Sequence, residues 1–147
     1  MIVGVMRHAK AEPKSPGVPD EERRLTNEGR KQVAAVAEIL PWRPDKIIHS
    51  PYIRARETAE LLATKLGVSR VEASQLLAPG SFNPGAFKQL ASDGVLMVGH
   101  SPSVEEVLTA ILGCRVKMKT ASVAILEVEG EKATLLALLV PPTSSIP

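Results

Sequence analysis

Short apolar runs alternate with amphipathic stretches of helical period along most of the chain, and this alternation constrains the fold more than any other feature. Ile2–Met6, Lys46–His49 and Val95–Val98 are runs of strand length, bounded by charged or turn-forming residues, and a weaker one covers Arg70–Glu72. Between them, Val33, Val36, Ala37 and Leu40 recur at i, i+3, i+4 and i+7, and Ala55, Ala59, Leu62 and Leu66 repeat the pattern. Strands alternating with helices predict an α/β chain in three layers, helices on both faces of a mostly parallel central sheet. With 147 residues, 44% of them hydrophobic, the chain suffices for one core, so residues 1–147 read as a single domain. No repeat or linker divides it.

Local signals set the expected boundaries. Thr26 reads as the N-cap of a helix running to about Leu40, ended by Pro41 and Pro44. Ser50 with Pro51 reads as a cap and first helical residue, with Gly67 as the stop. A short helix is expected near Pro84–Ala91, and Ser103 with Glu106 has the spacing of a capping box. Ala121–Val128 and Ala133–Val140, joined by Glu129-Gly130-Glu131-Lys132, read as a hairpin or two edge strands. The tail from Pro141 is expected to fray. Residues 10–24 have three prolines, one glycine and no periodicity, and a loop that long within a compact domain is usually functional or mobile.

Composition removes several function classes. A net charge of +2 is too small for bulk attraction to nucleic acid or a membrane surface, and 3% aromatic residues leave no base-stacking platform. The longest late apolar stretch, Leu135–Val140, is far too short to span a bilayer, and Arg7 and His8 interrupt the apolar N-terminus before it could act as a signal segment. A cytoplasmic protein is therefore expected. The single cysteine, Cys114, excludes an internal disulfide, lacks the arginine six positions on that a cysteine phosphatase needs, and is expected to be a small buried hydrophobe. Two Asn and three Gln beside 12 Pro hint at a thermophilic source.

All three histidines fall at expected strand ends, and in a parallel sheet ligands gather at the carboxyl ends of strands. Arg7-His8 follows the first strand, His49-Ser50-Pro51 the second, and Gly99-His100 the later one. Taken singly, Arg7-His8 could end an ordinary strand, Arg54 could be a solvated helix residue, and His49 is expected to be structural. Together, His8 and His100 with Arg7 and Arg54 suit phosphoryl transfer: arginines bind phosphoryl oxygens and a neutral imidazole attacks phosphorus. A hydrogen bond to the second imidazole nitrogen would set the tautomer. Metal ligation by the two histidines is disfavoured by Arg7 and by the lack of acids at neighbouring strand ends, and no nucleotide-binding Gly-rich loop is present.

At these residues the chain resembles the histidine phosphatase, or phosphoglycerate mutase-like, superfamily, and more narrowly the SixA-type phosphohistidine phosphatases. The matching segments are Met6-Arg7-His8-Ala9, Leu25-Thr26-Asn27-Glu28-Gly29, the run Ser50-Pro51-Tyr52-Ile53-Arg54-Ala55-Arg56-Glu57-Thr58-Ala59, and Val98-Gly99-His100-Ser101-Pro102. The resemblance implies a phosphoglycerate mutase-like fold and transient phosphorylation of His8. It also implies that Arg7 and Arg54 grip the phosphoryl oxygens while His100 donates to them, with no metal or organic cofactor. Larger members carry an acid that protonates the leaving alkoxide. Here Glu72 is a weak match, and Glu12, Asp20, Glu21 and Glu22 in the long loop look no better placed. Without an acid, an imidazole leaving group is favoured over an alkoxide. The implied substrate is phosphohistidine on a protein. The alternatives are a general phosphatase for small phosphate esters, with an acid from the 10–24 loop, and a phosphate-binding module without turnover.

Overall fold

The computed structural model describes residues 1–142. Six strands form one mixed sheet: β1 (Ile2–Arg7), β2 (Lys46–His49), β3 (Arg70–Ala73), β4 (Val95–Gly99), β5 (Val123–Glu129) and β6 (Lys132–Leu139). The order across the sheet is β3-β2-β4-β1-β5-β6, with β3, β2, β4 and β1 parallel and β5 and β6 antiparallel. Four helices cover it: α1 (Asn27–Ile39), α2 (Ile53–Leu66), α3 (Pro84–Leu90) and α4 (Ser103–Leu112). This is the three-layer α/β arrangement the alternation implied, and the final two strands form the expected hairpin.

Strand side chains alternate between two cores. Val3, Val5, Met97 and Leu126 face Phe87, Val104 and Leu108 of α3 and α4. Met6, Ile47, Val98 and Ile125 face Val33, Val36, Ala59 and Leu62 of α1 and α2. The large side chains among these are almost completely buried, and each contributes about 1.5–3 kcal/mol of transfer free energy.

Several helix ends behave as their residues dictate. Thr26 Oγ1 accepts the amide of Gly29 at 3.0 Å, capping α1, and α2 stops where Gly67 takes up a left-handed conformation at φ 71°. Two expected caps do not form. Helix α2 begins at Ile53, so Pro51 precedes it and Ser50 does not cap it. Instead the Ser50 hydroxyl accepts the amide of Tyr52 at 3.2 Å in a tight local turn. Helix α4 starts one position earlier than the capping box requires: Pro102 occupies the cap position, and Ser103 lies buried inside the first turn without a cap bond. Cys114 is exposed, not buried, because it follows Gly113, whose left-handed conformation ends α4 and turns the chain to the surface. Most of the tail expected to fray, residues 143–147, lies outside the described residues. Among the described residues no helix is long and apolar enough to cross a membrane.

The sheet order has a direct consequence for function. Strands β2, β4 and β1 are neighbours, with His49 level with Val98 and Arg7 level with Gly99. The residues leaving those strands, His8, Ser50 and His100, therefore emerge side by side at one sheet edge. Two bonds across the edge tie them together, His8 N–H to Gly99 O at 3.0 Å and Ser50 N–H to Val98 O at 3.1 Å.

Candidate active site

Beyond this edge lies a cleft of about 420 Å³ lined by Arg7, His8, Arg54, His100, Asp20 and Arg23, with Lys10, Lys14, Ser101 and Thr120 around them. All four residues singled out in the sequence thus meet at one place. His49 does not join them; it is buried, with Nδ1 2.8 Å from the carbonyl oxygen of Ser50, as a structural residue would be.

The rings of His8 and His100 stand 5.1 Å apart, centre to centre, and Tyr52 meets His100 edge-to-face with ring centres 5.2 Å apart. His8 Nδ1 is 2.7 Å from the carbonyl oxygen of Ala9. A carbonyl can only accept, so Nδ1 carries the proton and the lone pair of Nε2 is left for the cleft. The Ala9 amide is held in turn by Thr58 Oγ1 at 3.0 Å, and the Thr58 hydroxyl donates to Arg54 O at 2.7 Å. His100 Nε2 lies 2.8 Å from the Ser50 hydroxyl. Ser50 is fully buried and accepts the Tyr52 amide, and among the described residues His100 Nε2 is the acceptor within reach of its own proton, so the hydroxyl donates to Nε2 and the His100 proton resides on Nδ1.

Burial is the main reason both imidazoles stay neutral. It pushes the His8 pKa down to about 4, helped by the positive charges of Arg54, Arg7 and Arg23, although the bond to Ala9 works the other way. His100 is pushed down to about 3, by burial first and then by the proximity of His8 and Arg54.

The two arginines are mounted alike. Arg7 donates from Nη1 to Met118 O at 2.9 Å, and Arg54 from Nη1 to Asp20 O at 2.7 Å. In each, the buried Nε–H has no partner, and the same is true of His100 Nδ1. All three residues line the cleft beside His8, and their unpartnered donors together with two guanidinium charges suit a small oxyanion, since an unpaired buried donor costs about 1–3 kcal/mol that an anion's oxygens would recover. Among the described residues no three His, Cys, Asp or Glu side chains group so as to hold a metal ion. A larger groove beside α4, lined by Pro102, Glu105, Glu106, Arg115 and Lys117, contains none of Arg7, His8, Arg54 and His100.

The structure corrects the expectation for the acids. Glu72 is on the edge strand β3, outside the cleft, and pairs with Lys46 at 2.7 Å. Asp20, set aside with the other loop acids, lines the cleft. Its carboxylate accepts from Arg54 Nη2 at 3.2 Å and from Arg23 Nε at 2.8 Å. The 10–24 segment can reach the site because Glu57 of α2 grips its far end, accepting the Leu25 amide at 2.9 Å and pairing with Arg24 and Arg30. Sequence reasoning also missed Arg23 and Thr58. The three-residue spacing of Asp20 and Arg23 within an unusually long loop was the available signal for the first.

A family model described as "Histidine phosphatase superfamily (branch 1)" matches residues 3–78, just over half of the chain, including Arg7, His8 and Arg54. An uncharacterized chloroplastic protein of Arabidopsis thaliana is 24% identical over 144 residues, 86% of this chain and 66% of that relative's length. Among solved structures, a putative phosphohistidine phosphatase SixA from Agrobacterium tumefaciens superposes with a TM-score of 0.84 at 24% identity, covering 95% of this chain and 97% of its own. The protein histidine phosphatase SixA complexed with tungstate gives 0.81 at 22% identity, covering 96% and 97%. A mycobacterial glucosyl-3-phosphoglycerate phosphatase gives 0.69 at 18% identity, covering 92% and 96%. At these identities the solved structures establish a shared fold. The family match covers just over half of the chain, through the motifs that carry Arg7, His8 and Arg54 and stopping before His100, and on that basis the chain belongs to the histidine phosphatase superfamily.

Proposed function

We propose that the protein is a phosphatase that removes the phosphoryl group from phosphohistidine on a protein, through a covalent phosphohistidine on its own His8. The observation that carries this reading is the meeting in one cleft of His8, with its Nε2 lone pair free, and of Arg7, Arg54 and His100, each carrying a donor with no protein partner. A structurally similar protein histidine phosphatase SixA is complexed with tungstate, a tetrahedral oxyanion, which supports an oxyanion as the ligand of this fold.

In the first step His8 Nε2 attacks phosphorus in line as the P–N bond of the substrate breaks, and the electron pair returns to the substrate imidazole. His8 keeps its Nδ1 proton throughout, so the phosphorylated ring is cationic and its N–H remains on the Ala9 carbonyl. In the second step water attacks phosphorus, the P–Nε2 bond breaks, and His8 returns neutral while dihydrogen phosphate leaves with both water protons. Arg7, Arg54 and His100 hold the oxygens in both steps, where charge on them is greatest. No external acid is required when both rings arrive already protonated on the distal nitrogen.

A second reading, hydrolysis of small phosphate esters, draws support from Asp20, a carboxyl in the cleft that could serve as an acid. Asp20 is poorly suited to that. Its partial burial opposes ionisation, but the bonds and charges of Arg23 and Arg54 outweigh this and hold it below the ordinary carboxyl range. It is a carboxylate at neutral pH, unable to donate a proton to an alkoxide.

The test is phosphate release from a phosphohistidine protein and from an alkyl phosphate, each with wild type and His8→Ala. Preference for phosphohistidine, abolished in the variant, supports the reading. Equal or faster alkyl ester turnover would replace it with the small-ester reading, and no release from any substrate would leave a binding module.

A further inference from the structure

Asp20 is the one carboxylate lining a cleft otherwise lined by Arg7, Lys10, Lys14, Arg23 and Arg54 together with the two histidines. Setting a negative charge beside a phosphoryl subsite is costly, and the chain supports it with several contacts. The backbone carbonyl and carboxylate of Asp20 both hold Arg54, at 2.7 and 3.2 Å, and Arg23 Nε holds the other carboxylate oxygen at 2.8 Å. These contacts use Nη1 and Nη2 of Arg54 and leave its Nε–H unpartnered, so the arginine can hold Asp20 and a phosphoryl oxygen together. The Asp20 side chain is also 37% exposed, against 5% for Arg54, so its carboxylate stays accessible to a group entering the cleft. A group leaving in line from phosphorus departs on the side opposite His8.

We infer that Asp20 is a specificity residue that accepts a hydrogen bond from the distal N–H of the departing imidazole ring. The inference rests on the phosphohistidine reading above and deepens it. A phosphorylated imidazole leaves readily only when its second nitrogen is protonated, for then it departs as neutral imidazole with no proton transferred during P–N cleavage. A carboxylate at that N–H stabilises the cationic, reactive form of the ring. It does for the substrate what the Ala9 carbonyl does for His8, so the two imidazoles exchanging the phosphoryl group are matched in proton state. An alkyl or aryl ester offers no such N–H and gains nothing from the contact. Against its partial burial, Arg23 on its own turn and Arg54 from α2 keep Asp20 ionised; Arg7, Lys10 and Lys14 also line the cleft, beside His8 and His100, both neutral.

The experiment compares wild type, Asp20→Asn and Asp20→Glu on a peptide phosphorylated at histidine and on para-nitrophenyl phosphate, whose leaving group needs no proton. Any general loss from a disturbed Arg54 falls on both substrates and cancels in the ratio of their kcat/KM values. The ratio is expected to fall about tenfold to a hundredfold in Asp20→Asn, the range of one hydrogen bond to a charged group, and to recover in Asp20→Glu. The alkaline limb of kcat on the peptide, which reports ionisation within the enzyme–substrate complex, should move to lower pH in Asp20→Asn. Wild-type turnover of the peptide with an unchanged ratio and unchanged limb overturns the role of Asp20 alone. Wild-type failure on the peptide, with turnover of the aryl ester, overturns the phosphohistidine reading and this inference with it.

Discussion

The hydroxyl of Ser50 lies 2.8 Å from Nε2 of His100, fifty residues further along the chain, and both are buried. Through this contact the turn after β2 determines which nitrogen of His100 carries the proton that faces the cleft. Ser50→Ala leaves Nε2 without its donor and lets the ring adopt the other tautomer. Stability should fall by about 1–3 kcal/mol, the cost of an unsatisfied buried group, and kcat by about tenfold or more. Thermal unfolding and steady-state kinetics on the same preparation check both.

Arg7 and Arg54 each use Nη1 on a backbone carbonyl and leave Nε–H without a protein partner. Lysine concentrates its donors on one nitrogen and lacks the spread, planar fork that lets a guanidinium hold a carbonyl and an anion at separate positions. Arg7→Lys and Arg54→Lys are each expected to lower kcat/KM by about 10²–10³, the usual loss when an anion-stabilising donor is removed. Vanadate or tungstate inhibition should weaken in parallel. Full activity in either lysine variant would argue that the anion subsite lies elsewhere.

Attack on phosphorus needs a neutral His8, and its pKa of about 4 keeps it so above that pH. The acid limb of kcat/KM due to the enzyme is therefore expected near pH 4, well below the 6.5 of an ordinary histidine. Stability has a related window. His8 and His100 have folded-state pKa values of about 4 and about 3, below their unfolded values, so between pH 6.5 and those values the unfolded chain binds more protons. Their contribution is fully present above about pH 6.5 and declines as the pH falls through that window. Chemical denaturation at stepped pH should show the midpoint falling below pH 6.5, and less so in His100→Gln.

Gly29 lies inside α1, where alanine would ordinarily stabilise by about 1 kcal/mol. Here a Cβ would collide with the backbone carbonyl of Lys10, which accepts the Thr26 amide at 3.0 Å as the 10–24 segment sets out over the helix. Backbone cannot swing aside as a flexible side chain can. Gly29→Ala should therefore destabilise by about 1–3 kcal/mol, in the range of core overpacking, reversing the sign that helix propensity predicts. Equilibrium unfolding measures it directly.

Period and punctuation were enough to read most of the secondary structure from the chain, because they report interactions local in sequence. Apolar runs with flanking turn residues located the strands, and Thr26, Gly67 and the prolines marked helix ends near where they occur. The site was legible for a related reason. In a parallel sheet the ends of strands are where ligand-binding residues collect, so Arg7, His8 and His100 announced themselves by position, and Arg54 by its motif.

What the sequence determined by itself, then, was the layered α/β class, the run of strand-end motifs and the four residues that meet in the cleft. Tertiary structure decided the rest. Ser50 looks like a helix cap until the pairing of β2 with β4 brings His100 beside it and the hydroxyl takes that partner instead. Asp20 looks like one loop acid among four until Glu57 anchors the segment's end at Leu25 and Arg54 accepts Asp20 as its neighbour. In both cases the partner is more than 30 residues away in the chain. Local propensity describes what a residue does with its sequence neighbours; which distant group finally occupies a polar atom is settled only when the sheet order and helix packing bring the two together.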